Sequence, residues 1–184
     1  VIGVIENQAP TKALEFDLPV EQEKVKLVKD VCYLSLVERH RGTGKVVNGF
    51  VSGFGYTGSM AIASSVAHDS HHMIVVGTNQ DMMASAANRL GEVGGGVSVW
   101  KDGSELALVE LPIAGLMSDS KASEVAVKTQ AIISAMSECG CILNNAYMQH
   151  TLLALVVIPE LRISDLGLVD VNRFELISAL EPNL

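Results

Sequence analysis

The segment that most constrains the fold is "MAIASSVAHDSHHMIVVGTNQDMMASAANRLGEVGGGVSVWKDG", residues 60 to 103. Two β-capable runs, "MAIASSVA" and "HMIVVG", flank the polar "HDSH", which is the pattern of a hairpin or a strand, turn and strand. A helix follows. Thr78 or Asn79 can cap it, Asp81 sits in its first turn, and Met82, Met83, Ala86, Leu90 and Val93 recur on one helical stripe. Gly94-Gly95-Gly96 then stops it. "VSVW", the Asp102-Gly103 reversal and "SELALVEL" make a second hairpin, the Asp-Gly pair supplying the positive φ angles of a tight turn. A helix with one apolar stripe between two hairpins has to bury that stripe on their sheet, so the segment demands a layered structure.

The flanking sequence is read in the same way. Val1 to Ile5 is a short strand, "ALEFDL" alternates with a period of two as a strand does, "EQEKVK" is a charged solvated stretch, and "VCYLSLV" is again a strand. The glycine-dense "ERHRGTGKVVNGFVSGFGYTGS" reads as loop and tight turn more than element interior. Beyond the second hairpin, "LPIAGLMSD" is a loop whose Ser118 and Asp119 can cap a helix. That helix has a mostly apolar face of Val125, Lys128, Ile132, Ala135 and Met136, and Gly140 is its stop. "TLLALVVI", "LRIS", the turn at Asp165-Leu166-Gly167 and "LVDV" are strands or a short buried helix. No internal repeat appears. The fold class expected is α+β, with a mixed, largely antiparallel β-sheet or sheets, two or more long helices packed on them, and no (β/α)8 barrel.

With 184 residues, 48% of them hydrophobic, the chain can bury one good core. A net charge of −8 argues against a nucleic-acid partner, because only "ERHRGTGK" at 38 to 45 is locally basic. No run reaches the roughly 18 apolar residues of a membrane helix. The longest, "TLLALVVIP", is stopped by Pro159, and no signal peptide is visible, so a soluble cytoplasmic protein is expected. The chain opens on Val1 in mid-strand, which suggests a piece cut from something longer. Cys32, Cys139 and Cys141 lack the spacing of a metal or redox motif and read as reduced thiols packed in the core.

Chemistry concentrates at His68, Asp69, Ser70 and His71. Imidazole moves protons near neutral pH or binds transition metals, and an adjacent carboxylate can orient it. On an extended strand His68, Ser70 and His72 face one way while Asp69 and His71 face the other, so they converge only in a turn. Successive positions cannot build a serine-protease-like triad. A metal site would need further ligands, and His40, His150 and scattered carboxylates are the candidates. The segment is therefore a plain polar turn, part of a functional cavity, or a metal site. "RHRGTG" at 39 to 44 can grip an anion or lie as a solvated loop. "GFGYTG" at 53 to 58 lacks the lysine and hydroxyl residue of a P-loop. Met82 and Met83 read as core filler and Trp100 as a packed strand aromatic.

Taken in series, "VERHRGTGKVVNGFVSGFG", residues 61 to 103, "LPIAGLMSD" and "ALVVIPELRISDLGLVDV" resemble the C-terminal domain of bacterial adenine deaminases. The similarity runs from about Val1 to Val171, and residues 1 to 184 are assigned as that one domain. The resemblance implies an aminohydrolase of the amidohydrolase superfamily that converts adenine and water to hypoxanthine and ammonia in purine salvage. It implies a manganese or iron two-metal centre in an N-terminal barrel that is the partner of this domain, with no metal held by the chain itself. A barrel of about 250 residues does not fit here. The resemblance matches Ala67, His68, Asp69, Ser70 and His71 to the family's Ala-His-Asp-Ser-His-Asn segment, with His72 in place of the asparagine. It assigns catalytic roles to His68, Asp69, Ser70 and His71, and adenine-binding roles to Arg39, His40, Arg41, Gly53 and Phe54. "YTGSM" departs from the family's basic residues. A homo-oligomer is a further possible partner arrangement. The alternative function is a structural or oligomerisation module that braces a barrel.

Overall fold

The structure, a computed structural model, describes residues 1 to 180. In chain order the elements are β1 (Ile2–Val4), β2 (Thr11–Ala13), β3 (Val20–Glu21), β4 (Lys24–Val25), β5 (Val31–Val37), β6 (Val46–Ser52), β7 (Met60–Ser64), β8 (Met73–Gly77), α1 (Gln80–Val93), β9 (Gly96–Lys101), β10 (Ser104–Glu110), α2 (Ala122–Glu138), α3 (Ala146–Leu152), β11 (Leu161–Ile163), β12 (Leu168–Asp170) and β13 (Glu175–Ile177). Eight strands form one sheet in the order β10-β9-β7-β8-β5-β6-β1-β2. Among the described residues only β1 and β6 pair in parallel; the other pairs of this sheet are antiparallel. β11, β12 and β13 form a small second sheet. This is the expected α+β class, with helices on a mixed, largely antiparallel sheet.

The hydrophobic pattern decides which helix covers which face. In β5, Cys32, Leu34 and Leu36 join the core beneath α2 and α3, while Tyr33 and Val37 turn toward α1. β7 and β8 are central and covered on both sides, so every one of their residues is buried. Ile62, Ile74 and Val76 face α2 and α3; Ala61, Ala63, Met73 and Val75 meet Met83, Ala86 and Leu90 of α1. Asn79 caps α1, its Oδ1 accepting from the amides of Asp81 at 2.9 Å and Met82 at 3.1 Å. Gly94, left-handed at φ 83°, ends it as expected.

α2 and α3 lie on one face yet barely meet. Between them is a cavity of about 250 Å³ lined by Val97, Val109, Val125, Ile132, Met136 and Tyr147. A second cavity, of about 630 Å³, opens on the α1 face among Lys24, Val25, Tyr33, Phe50 and Met83.

Three expectations change. "ALEFDL" is irregular after Ala13, because β2 is the edge strand and the chain leaves it there. "EQEKVK" is solvated as expected, and it also forms a short hairpin, β3–β4, around Gln22 and Glu23, both at positive φ. The glycine-dense stretch contains a full strand, β6, whose "VVNGFVS" pairs along all of β5. Here tertiary pairing overrides glycine content. Ser118 and Asp119 do not cap α2: the helix starts at Ala122 after Lys121, and the Ser118 hydroxyl instead accepts from the Ser120 amide at 3.2 Å. "TLLALVVI" divides between the end of α3 and an irregular segment, while "LRIS" and "LVDV" pair as the β11–β12 hairpin. Among the described residues no helix is long and apolar enough to cross a membrane.

Candidate functional site

Strand register brings three loops to one end of the large sheet. Val37 pairs with Met73, and Ser64 pairs with Ile74 on one side and Val97 on the other. The chain leaving β5 at residues 38 to 45 therefore emerges beside the β7–β8 connection at 65 to 72. The segment after β10, residues 111 to 117, arrives at the same end because Glu110 pairs with Gly96.

Glu38 folds the first loop around its carboxylate. Oε1 accepts from the amides of His40 at 2.6 Å and Arg41 at 2.7 Å, and Oε2 from the Thr43 amide at 3.1 Å and the Thr43 hydroxyl at 2.8 Å. These donors, the Thr43 amide foremost, hold the carboxyl at a pKa of about 2 against the opposing effect of burial. The loop so fixed aims Arg39 and His40 at the histidine segment. Arg39 Nε donates to the His71 carbonyl at 2.6 Å and Nη2 to the Ala114 carbonyl at 2.9 Å. His40 Nε2 lies 2.7 Å from the Ser70 carbonyl, which can only accept, so this nitrogen carries the proton. One arginine thus ties all three loops. Its guanidinium lies against Gly115, where a Cβ would stand 2.8 Å from Nη1, and burial lowers its pKa. Gly115 is fixed in turn by its carbonyl, which accepts from the Ser65 hydroxyl at 2.6 Å.

The β7–β8 connection is a turn, as convergence of its side chains requires. The His68 amide donates to the Thr151 carbonyl at 3.1 Å and the His71 amide to the Ala67 carbonyl at 2.7 Å. His71 is left-handed, at φ 51°, and its Nδ1 accepts from the Ala67 amide at 3.3 Å. The His68 and His71 rings meet edge to face with centroids 5.3 Å apart. Asp69 and Ser70 are exposed at the tip; His68 and His71 are half-buried. Burial first, then the neighbouring His68 and Arg39, push the His71 pKa down, which keeps its imidazole neutral at physiological pH.

His72 is buried beneath this ridge. Its ring lies 4.6 Å from that of His40, its Nδ1 is 4.0 Å from Glu38 Oε1, and its Nε2 is 3.9 Å from Asp165 Oδ2. Those separations are too long for hydrogen bonds. Burial, then His40, lower its pKa, so it too is neutral.

The structure therefore gathers Arg39, His40, His68, Asp69, Ser70 and His71 into one ridge. Arg41 is exposed and contributes its backbone amide to Glu38. Gly53 and Phe54 lie at the other end of β6, roughly 20 Å of strand away. There the Gly53 amide donates to Asp30 Oδ2 at 3.0 Å, and Phe54 is buried with its ring 5.2 Å from that of Tyr56. Glu38 and Asp165 were not singled out from sequence. For Glu38 the signal was present, since an acidic side chain ahead of "RHRGTG" can accept the amides of the turn it precedes. Asp165 is distant in sequence and left no such signal.

The ridge does not fit a two-metal centre. Among the described residues no three histidine, cysteine, aspartate or glutamate side chains converge as metal ligands. It is also outside the two cavities described above. What it offers is a row of imidazoles, that of His71 held neutral, with a carboxylate and a hydroxyl beside them on a hydrogen-bonded support.

The family model described as "Adenine deaminase C-terminal domain" matches residues 8 to 175. An adenine deaminase of Ruegeria pomeroyi is 71% identical over 99% of this chain, and the matched part is 31% of that protein. One of Paracoccus denitrificans is 69% identical over 98% of the chain and 30% of its own length. One of Brucella anthropi is 47% identical over 94% of the chain and 31% of its own length. The chain thus spans about a third of the length of the curated relatives it matches, and it belongs to the adenine deaminase C-terminal domain family.

Proposed function

We propose that this chain is the accessory domain of a cytoplasmic adenine deaminase, which hydrolyses adenine to hypoxanthine and ammonia in purine salvage, and that it completes the substrate cavity beside an N-terminal amidohydrolase barrel. The observation that carries this reading is the Arg39 clamp, which holds His68, Asp69, Ser70 and His71 in one presented turn. The relatives named adenine deaminase are about three times as long as the stretch they share with this chain, which leaves room for such a barrel.

In this reading a manganese or iron pair on the barrel supplies the activated water of the hydrolysis. The chain's own residues bind and orient. His68 and His71 contact the purine or the groups around it, Asp69 and Ser70 line the rim, and Arg39 and His40 are positioning residues spent on backbone carbonyls. Such a wall excludes water and fixes the base. Arg41 remains free to meet polar groups at the rim, and Gly53 and Phe54 act at a distance, as support for β6.

The test is ammonia release from adenine. In the full-length protein, His68→Ala combined with His71→Ala should lower kcat/KM by about a hundredfold, two lost contacts at about 1 to 2 kcal/mol each. The 184-residue chain alone, given manganese or ferrous iron, should release no ammonia. Unchanged kinetics in the double variant would overturn the cavity role. A bracing or oligomerisation module is the second reading, favoured by the position of the ridge outside the cavities described above. It predicts unchanged kcat and KM with a lowered Tm.

A further inference from the structure

We infer that His71 serves as a fixed-tautomer hydrogen-bond donor, its Nε2–H held outward for an acceptor atom on a heteroaromatic base, such as an unprotonated ring nitrogen, and that it does not shuttle protons. The inference rests on the reading that the ridge faces the substrate.

The tautomer follows from the turn. The Ala67 amide can only donate, so the His71 nitrogen it meets, Nδ1, must accept and carries no proton. In a neutral ring the proton is then on Nε2. That nitrogen has no hydrogen-bond partner among the described residues, and it is not among the buried unpartnered atoms. It is therefore open to a ligand.

Three bonds keep the ring where it is. Ala67 and His71 are joined twice, amide to carbonyl at 2.7 Å and amide to ring at 3.3 Å, and Arg39 grips the His71 carbonyl at 2.6 Å. A donor held this way loses little freedom on binding. Protonating the ring would set Nδ1–H against the Ala67 N–H, two donors face to face. The groups around it are His68, Arg39, His40 and Asp69, and only Asp69 favours the imidazolium. A neutral imidazole N–H is a competent donor and a very weak acid, so the group can orient a base without exchanging its proton.

The substitutions Gln and Asn separate the two ring nitrogens. H71Q carries its amide NH2 at about the reach of Nε2, whereas H71N carries its amide oxygen at about the reach of Nδ1 and can still accept from Ala67. In the full-length protein, kcat, KM and Tm are measured with adenine for H71A, H71Q and H71N. H71A should raise KM by about tenfold. H71Q should recover most of that loss and H71N should not, and H71Q should leave the pH profile of kcat/KM between 6 and 8 unchanged in shape. Recovery by H71N alone, by both, or by neither overturns the donor assignment, as does an inflection that H71Q removes. If H71A leaves kcat, KM and Tm all unchanged, the substrate-facing reading itself fails. Should H71A not fold, the comparison of H71Q with H71N still decides.

Discussion

His150 and Glu38 are both shielded, and they respond to acid for opposite reasons. His150 is fully buried, and neither ring nitrogen has a hydrogen-bond partner among the described residues. Burial, only partly offset by the nearby backbone of Ile74, lowers its pKa to about 4. The unfolded ring titrates at 6.5, so between pH 6.5 and 4 the unfolded state binds a proton that the folded state refuses. Stability falls as pH drops through that window. At pH 5 the loss is about 2 kcal/mol by linkage. His150→Phe keeps the volume and removes the site, so urea midpoints at pH 7.5 and 5.0 should show the variant losing less than the parent by that amount. Equal losses would mean that His150 is not refusing the proton. Glu38 has a folded pKa of about 2 against 4.5 unfolded, so its contribution is present above pH 4.5 and lost as pH falls toward 2. Glu38→Gln removes an acceptor charge from four donors and should open residues 38 to 45 to limited proteolysis at neutral pH, while hydrogen exchange in β7 and β8 stays slow.

At the scale of elements, two glycines five residues apart should respond in opposite ways to the same methyl group. Gly91 lies inside α1, and a Cβ there meets nothing within 4 Å. Gly91→Ala should raise stability by about 1 kcal/mol, through helix propensity and a less free unfolded chain. Gly96 opens β9 at φ 140°, and a Cβ there would sit 1.9 Å from the Val109 carbonyl oxygen. Gly96→Ala should cost about 3 kcal/mol or more, and differential scanning calorimetry of the two variants reads both signs. The sequence made the stop at Gly94 legible, because a glycine after a capped apolar stripe has a local cause. That Gly96 must let β10 close in was not legible, since its neighbour is 13 residues away. β6 was hidden for the same kind of reason. Its glycine suggests a loop until β5 is known to pair along its whole length. In the candidate site, the histidine turn could be read locally, whereas the Arg39 bridge to His71 and Ala114 spans 32 and 75 residues and leaves no periodic trace.

On the whole-molecule scale a buried cation joins an early segment of the chain, at Ala9, to a late one, at residues 152 to 162. Arg162 is 1% exposed and pairs with no carboxylate among the described residues. Nε donates to the Ile158 carbonyl at 2.8 Å, Nη1 to Leu152 at 3.0 Å, and Nη2 to Ala9 and Pro159. Burial lowers its pKa to about 10, so it remains charged at neutral pH. Hydrogen bonds alongside it, from the Thr11 amide to the Pro159 carbonyl at 2.9 Å and from the Thr11 hydroxyl to the Leu161 carbonyl at 2.9 Å, join the β1–β2 hairpin to the second sheet across about 150 residues. Lysine has three donors on a flexible stem and cannot reproduce the planar fork, so Arg162→Lys leaves at least one buried carbonyl unmet. The expected cost is about 2 kcal/mol, and where it falls tells how the molecule is divided. If the joined segments open apart from the rest, hydrogen exchange in the variant should quicken at Thr11, Ala13 and Leu161 while β7, β8 and α1 keep the parent's rates. Equal acceleration across all of these amides would instead make the clamp part of one cooperative unit with the central sheet, and the ridge at 68 to 72 would then lose its support whenever those segments part, since His68 hangs from the Thr151 carbonyl beside the same Leu152 that Arg162 holds.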